Sequence, residues 1–372
     1  MARSIFPEST KRQIEAWQPL VHVCRRWRSL VFGSPRRLKM RLVCTIKTPA
    51  EDTLDVWPAL PILIRDYDCL TEGMDNIIAV LERSDRVSEV YLKNAPSSHL
   101  ERVSAPAAMQ RPFPGLASLL FHSYYVNVPA LPDSFLGGSA PLLRLLYLDC
   151  VPFPGLPKLL LSAPHLVHLR LWNISHSGYF SPEAMLTALP TLTSLESLRI
   201  QFESPRSRPD LAGRRPSPPT RLVLPVLATF GFKGVCEYLE DLVARIDAPQ
   251  LITLHLTLFN QIIFDTPQLI QFIGRTPTLN TPEKAHIAFG DYHTRFRLSS
   301  GPGGLSVGIA CRELDWQISS LEQVCTSCSP LLSTLENLYI YQAPFSQPNW
   351  QDNIENILWL ELLHPFTTIK NL

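Results

Sequence analysis

One short pattern, apolar-x-x-apolar-x-apolar, returns through most of this chain and restricts what it can fold into. Its clearest copy is Leu195-Glu196-Ser197-Leu198-Arg199-Ile200. Earlier copies start at Val87, Leu116, Leu143 and Leu166, and later ones at Leu227, Leu251 and Leu335. The first seven starts are 29, 27, 23, 29, 32 and 24 residues apart. The last two apolar residues of each copy alternate, so on a short strand both point to one face. The first sits on the turn into that strand. One such unit cannot bury its apolar face alone, whereas stacked units share a continuous core beneath a parallel sheet. A Leu-rich chain produces single matches by chance; seven at steady spacing are hard to obtain that way.

The spacing lies in the range of leucine-rich repeats. The asparagine ladder of the regular repeat is represented only by Asn94 and Asn173, which predicts irregular repeats with imperfect turns. The predicted fold class is α/β: a leucine-rich-repeat-like solenoid with parallel strands on a concave face and helices and loops outside.

Between the strands, helices are expected over 73–83, 235–246 and 314–327, with a short helical turn from Phe153 to Ser162. Ser181-Pro182-Glu183 reads as a helix start, a serine cap followed by proline and an acid. Thr266-Pro267-Gln268 reads as another. Residues 93–115 are polar and Pro-rich and read as an outer loop. Glu203 to Arg221 holds five arginines and five prolines, the composition of a mobile inserted loop; Ser204 and Ser217 each precede proline, as in a regulated contact, although a tolerated surface insertion also fits. From about 284 to 311 the period changes. Ile287/Phe289, Phe296/Leu298 and Leu305/Val307/Ile309 alternate as antiparallel strands, with Gly301-Pro-Gly-Gly304 as a turn, and suggest a β insertion on one repeat's convex side. The final helix, Asn353 to His364, reads as amphipathic and precedes Ile369-x-x-Leu372, half of a further motif. That predicts a chain ending mid-repeat, with an exposed apolar face around Trp359, Leu362, Ile369 and Leu372.

The N-terminal part differs. Pro19 to Phe32 has apolar residues at helical spacing, with Leu20, Val23, Cys24, Trp27, Leu30 and Val31 on one face and Arg25, Arg26 and Arg28 off it. Residues 11–41 hold nine Lys/Arg and one acid, either a basic docking surface or a solvated helix face. The run Leu20-Val-His-Val-Cys24-Arg25-Arg-Trp27 resembles the second half of an F-box, whose late helix reads L-x-x-V-C-R-x-W. The following Pro35 to Pro61 is similar to the same region of fungal, basidiomycete-type F-box-like proteins that carry irregular leucine-rich repeats. The resemblance implies a partial F-box-like helical segment at 1–45 and a repeat solenoid at 46–372. It also implies binding of a Skp1-like adaptor through the N-terminal helix, with Val23, Cys24 and Trp27 mostly packing the box, and capture by the repeats of a protein destined for ubiquitination. Met1–Gln18 departs from the family, because the L-P-x-E/D start has only a poor echo in Ile5-Phe6-Pro7-Glu8. The alternative is a stand-alone binding protein, or a truncated member without adaptor binding.

Composition narrows the function classes. A net charge of +1 gives no general electrostatic case for nucleic acid. No apolar run reaches the roughly 18 residues a membrane helix needs, and no signal-peptide order opens the chain. The eight scattered cysteines read as reduced, buried and intracellular, giving a cytoplasmic and/or nuclear expectation. Cys325-x-x-Cys328 lacks the further ligands of a zinc site, and His165-x-x-His168 lacks a third ligand. No nucleophile setting or phosphate loop is present, so neither an enzyme nor a cofactor is expected. What remains is surface: Tyr91, His122, Tyr147, Arg170, Trp172, Arg199, His255, Tyr339 and Tyr341 flank the buried strand positions and form the expected concave partner face. These residue types are enriched at binding hot spots, although aromatic residues also favour strands for packing reasons alone.

Overall fold

The structure, a computed structural model, describes residues 22–33, 41–47, 54, 59–66, 73–104, 109–124, 128–209, 221–301, 303–343 and 356–371. Strands β1 to β7 are Leu42–Cys44, Ile62–Asp66, Val87–Leu92, Ser118–His122, Leu145–Asp149, His168–Ile174 and Ser197–Phe202. Strands β8 to β11 are Leu222–Val223, Thr229–Gly234, Ile246–Asp247 and Thr253–Phe259. Strands β12 to β15 are Lys284–Phe289, Thr294–Ser300, Gly303–Ala310 and Asn337–Gln342. Helices α1 to α5 are Arg25–Phe32, Met74–Leu81, Ser97–Ser104, Leu156–Leu160 and Pro182–Ala188. Helices α6 to α10 are Cys236–Val243, Pro267–Gly274, Leu314–Ser327, Ser329–Leu332 and Asn356–Leu363.

Thirteen strands form one mostly parallel sheet, in the order β1-β2-β3-β4-β5-β6-β7-β9-β11-β14-β13-β12-β15. Every copy of the motif supplies a strand of it. Two apolar rows run across the strands in register. One is Leu119, Leu146, Leu169, Leu198, Phe230, Leu254 and Leu305; the other is Phe121, Leu148, Leu171, Ile200, Phe232, Leu256 and Val307. All are buried, and the helices pack their apolar sides on this same face. The first residue of seven of the eight motifs closes a turn, as expected, while Val87 already stands in β3. The N–H groups of Leu116, Leu143, Leu166, Leu195, Leu227, Leu251 and Leu335 each donate to the carbonyl three residues back. Asn94 and Asn173 stand two residues past the last apolar motif position, with φ of 62° and 51°. Asparagine tolerates this left-handed conformation, and Cys150 occupies the equivalent place at 55°.

Several expectations are corrected. The strands at 284–311 lie in the main sheet, not on a convex flap. β14 pairs with β11, and β12 with β15, so β13 fills the gap antiparallel to both neighbours. Their alternating apolar residues extend the two core rows, a burial no detached flap would provide. Residues 97–104 form helix α3 rather than loop, because His99, Leu100 and Val103 bury one side against the core. Ile246 leaves the expected helix for a two-stranded parallel ladder, β10 on β8. Leu42–Cys44, grouped with the N-terminal segment on sequence grounds, is the sheet's edge strand. Residues 210–220 of the Arg/Pro-rich insertion, Ser217 included, lie outside the described residues.

At the far end, the face expected to be bare is covered. Leu362 is buried, and Trp359 and Ile369 pack against the core. The Trp359 ring meets Phe289 edge-on at 5.4 Å. Ile357 and Leu360, not Trp359 and Leu362, face outward on α10. Asn371 bridges to Asn337 in parallel beyond β15, so the half motif does begin to pair; Leu372 lies outside the described residues.

The start of α7 is capped from another helix. Ser181 caps α5 as expected, its Oγ accepting from Ala184 N. Thr266 makes no such bond. Glu240 of α6, buried, instead accepts from Gln268 N at 2.8 Å and Leu269 N at 2.9 Å. A carboxylate between two N-terminal N–H groups is a charge-assisted contact favoured by the helix dipole. Glu240→Ala is expected to cost about 2–4 kcal/mol, because both donors are left unpaired. A loss under about 0.5 kcal/mol in a denaturation titration would show that the cap carries little.

Candidate interaction surfaces

Two regions gather the residues singled out in the sequence. The first is α1. Cys24 is extended, with φ −162° and ψ 169°, and breaks the expected helix: His22 and Val23 are helical before it, α1 runs from Arg25, and Pro19 lies outside the described residues. Leu20 lies outside the described residues. The apolar positions split into two roles. Val31 is buried and Phe32 packs against the main core, tying the helix down. Val23, Trp27 and Leu30 remain 63, 47 and 63% exposed. Trp27 and Leu30, three apart, share one side of the helix. Val23, Cys24 and Trp27, expected mostly to pack the box, are exposed, as is Arg25.

The second region is the sheet face opposite the core. Register sets its middle row as Arg65, Tyr91, Leu120, Tyr147, Arg170, Arg199, Gly231, His255, Ser306, Arg297, His286 and Tyr339. The face divides into three parts.

At the β1 end it is apolar and largely self-covered. Leu63, Tyr91 and Leu120 are buried together, with Val43 and Tyr147 against them. Tyr91 donates its hydroxyl to Glu89 Oε2 at 3.0 Å and lies under the Arg65 guanidinium at 5.5 Å. Glu89 also pairs with Arg41. Burial, then the Glu89 charge, pushes the Tyr91 phenol up to about 12. Tyr91 is thus a structural side chain rather than an open contact.

Next comes a network centred on buried Asp149. Its carboxylate accepts from Tyr147 OH at 2.9 Å, Asn173 Nδ2 at 2.9 Å and Cys150 Sγ at 3.6 Å. His122 Nε2 is 3.7 Å from Asp149 Oδ2, and its Nδ1 is 3.0 Å from Asn94 Oδ1. Burial raises the Tyr147 phenol and lowers His122, with Asp149 opposing the second shift. His122 and Tyr147 therefore hold the strand ends together. Trp172, in register with Asp149, is half-buried beside them.

The middle of the face is cationic. Arg170 and Arg199 are register neighbours, and their buried Nε atoms have no hydrogen-bond partner. Burial and the adjacent Arg199 pull Arg170 below the usual arginine range. Burial lowers exposed-edged His255 too, followed by the charges of Arg199, Arg297 and Arg295. Arg295 and Arg297 lie outside the repeated motif because β13 is antiparallel and carries no copy of it. The signal was present in the alternation Thr294-Arg-Phe-Arg-Leu298: burying Phe296 and Leu298 turns both arginines to the other face. At the β15 edge, Tyr339 stacks on His286 at 4.9 Å and Tyr341 meets it edge-on at 6.3 Å. Both tyrosines remain exposed.

The pH response follows from six histidines. His99, His122, His168, His255, His286 and His293 are all held below 6.5, burial being the first cause in each. A histidine depressed in the folded state binds fewer protons than in the unfolded chain between its two pKa values. Stability is then complete above about 6.5 and falls as pH drops below it. Denaturation midpoints at pH 7.5 and 5.5 check the sign; an unchanged midpoint would contradict it.

Among the described residues, no group of three or more His, Cys, Asp or Glu side chains is placed to hold a metal ion, and no helix is long and apolar enough to cross a membrane. Cys325 and Cys328 are buried, with Cys328 pushed up to about 12 by burial, whereas Cys24 is exposed and Cys150 half-buried. No protein-family model matches the chain, and no curated protein matches it.

Proposed function

We propose that the chain is a protein-interaction scaffold whose α1 docks a Skp1-like adaptor and whose open sheet face receives a protein partner. That is the substrate-recognition role of an SCF-type ubiquitin ligase, carried out in the cytoplasm or nucleus without cofactor or catalysis of its own. The observation carrying this reading is α1: it is anchored by Val31 and Phe32 yet leaves Trp27 and Leu30, with Val23 beside them, exposed to solvent. Exposed aromatic and aliphatic groups clustered on one element are how a docking site differs from ordinary surface. The run Val23-Cys24-Arg25-Arg26-Trp27 that resembles an F-box lies there. The open face would supply the other half, an exposed strand surface bearing arginine, histidine and tyrosine.

A second reading, a stand-alone binding protein, is favoured by Cys24. Its extended backbone interrupts the helix that the resemblance calls for. A pull-down of the whole chain with purified Skp1 decides between them. Retention of Skp1 supports the adaptor role; no retention at micromolar concentrations leaves the open face as the binding surface of a stand-alone protein.

A further inference from the structure

We infer that the cationic middle of the open face is a trough for an extended, carboxylate-rich protein segment laid across the strands. This rests on the open face being the partner surface and adds the partner's chemistry. Arg199 on one side and Arg295 and Arg297 on the other bound a floor of short side chains. By strand spacing, β7 and β13 stand about 19 Å apart. Between them the two rows read Gly231, His255, Ser306 and Lys233, Thr257, Gly308. Little rises from that floor except His255 and Lys233, so a partner backbone can approach closely.

Gly231 has a specific part in this. A Cβ there would come within 3.0 Å of Arg199 Cγ. The Arg199 stem therefore lies across the glycine, which aims its guanidinium into the trough.

The charges lack anionic partners within the fold, although the Lys233 ammonium lies over the Phe259 ring at 5.7 Å. Among the described residues no ion pair reaches Arg170, Arg199, Lys233, Arg295 or Arg297. Arg170 and Arg199 are half-buried side by side, with their Nε donors unpaired. Like charges so placed repel and are poorly solvated, an arrangement that an anion from outside relieves. Guanidinium groups suit carboxylates because their donors form a fork matching two oxygens. The acids of this face, Glu89 and Asp149, lie at its other end and are already engaged. The positive zone thus ends within a few strands, and the whole chain carries only +1. A bounded patch of this kind fits a short acidic segment better than a nucleic acid, which gains from a long basic track.

The test is fluorescence anisotropy on the full chain, using a labelled peptide of alternating glutamate and serine. A lysine-serine peptide and an oligothymidylate of equal length serve as comparators. The glutamate peptide should bind, and weaken about tenfold or more in R170Q/R199Q. Gly231→Val, which displaces the Arg199 stem, should weaken it several-fold. Lys158→Gln, on the helix side, should change nothing. R295Q/R297Q alters only exposed positions and gives the same test if the first double variant folds poorly. Equal binding by these variants and the native chain, no binding by the native chain, or equal binding of the lysine peptide overturns the inference. Tighter binding of oligothymidylate also overturns it and assigns the trough to nucleic acid. Skp1 retention is measured on the same samples: it reports on α1 alone, so failure of the adaptor reading and failure of the acidic trough are seen separately.

Discussion

Phe202→Ala is expected to lower stability by about 3–5 kcal/mol, a large part of what a folded domain has. Phe202 is fully buried at the end of β7. Its ring lies 4.9 Å from Tyr238, 5.7 Å from Tyr179, 5.9 Å from Phe180 and 6.3 Å from Phe232. Those rings come from α6, from the connection before α5 and from β9, so one side chain joins three neighbouring parts of the fold. Alanine would leave a cavity that rings anchored on separate elements cannot close. The exposed Ile262 provides the contrast, since Ile262→Ala should stay within about 0.5 kcal/mol. Urea titrations of both variants give the comparison. A Phe202→Ala loss below about 1 kcal/mol would mean the aromatic cluster repacks and is not the junction its geometry indicates.

Phe202 also marks where the sequence is informative. It stands two residues after Ile200, the place where Asn94 and Cys150 turn left-handed after their strands and Asn173 does so near the end of β6. Asparagine there announces a turn, while phenylalanine continues the strand inward. Local signals of this type were legible: the alternating pairs became the two core rows, the first leucines became turns, and Ser181 became a cap. Signals that depend on distant chain were not. Glu240 caps a helix start 28 residues later, which no local spacing encodes. The order β14-β13-β12 needs knowledge of which gap in the sheet remains open. Alternation shows that Tyr91 and Tyr339 face the same way, but not that Arg65 and Glu89 enclose the first while the second stays open. The cationic trough is a similar case, because Arg199 and Arg297 are 98 residues apart in sequence and come into one row of the sheet only through register. On α10 the apolar residues were visible, yet with apolar groups all round the helix nothing local told which side Phe289 would take.

The most consequential expected loss of binding is at α1. Val23→Asp with Trp27→Asp should weaken adaptor binding by about a hundredfold or more, because centrally placed aromatic anchors carry 2 kcal/mol or more each in such contacts. The same pair should leave thermal stability nearly unchanged, since both side chains face solvent and Val31 and Phe32 keep the helix attached. The two readouts separate docking from folding. If these residues packed a box of their own, the charges would lower stability together with binding. If they form the docking surface, binding falls alone. Val31→Asp provides the opposite pattern, because it buries a charge among apolar neighbours and should loosen α1 itself. Isothermal titration with Skp1 and thermal melts of the three proteins give the answer. Binding that survives the double substitution would remove α1 as the adaptor site and leave the cationic trough as the remaining candidate for recognition.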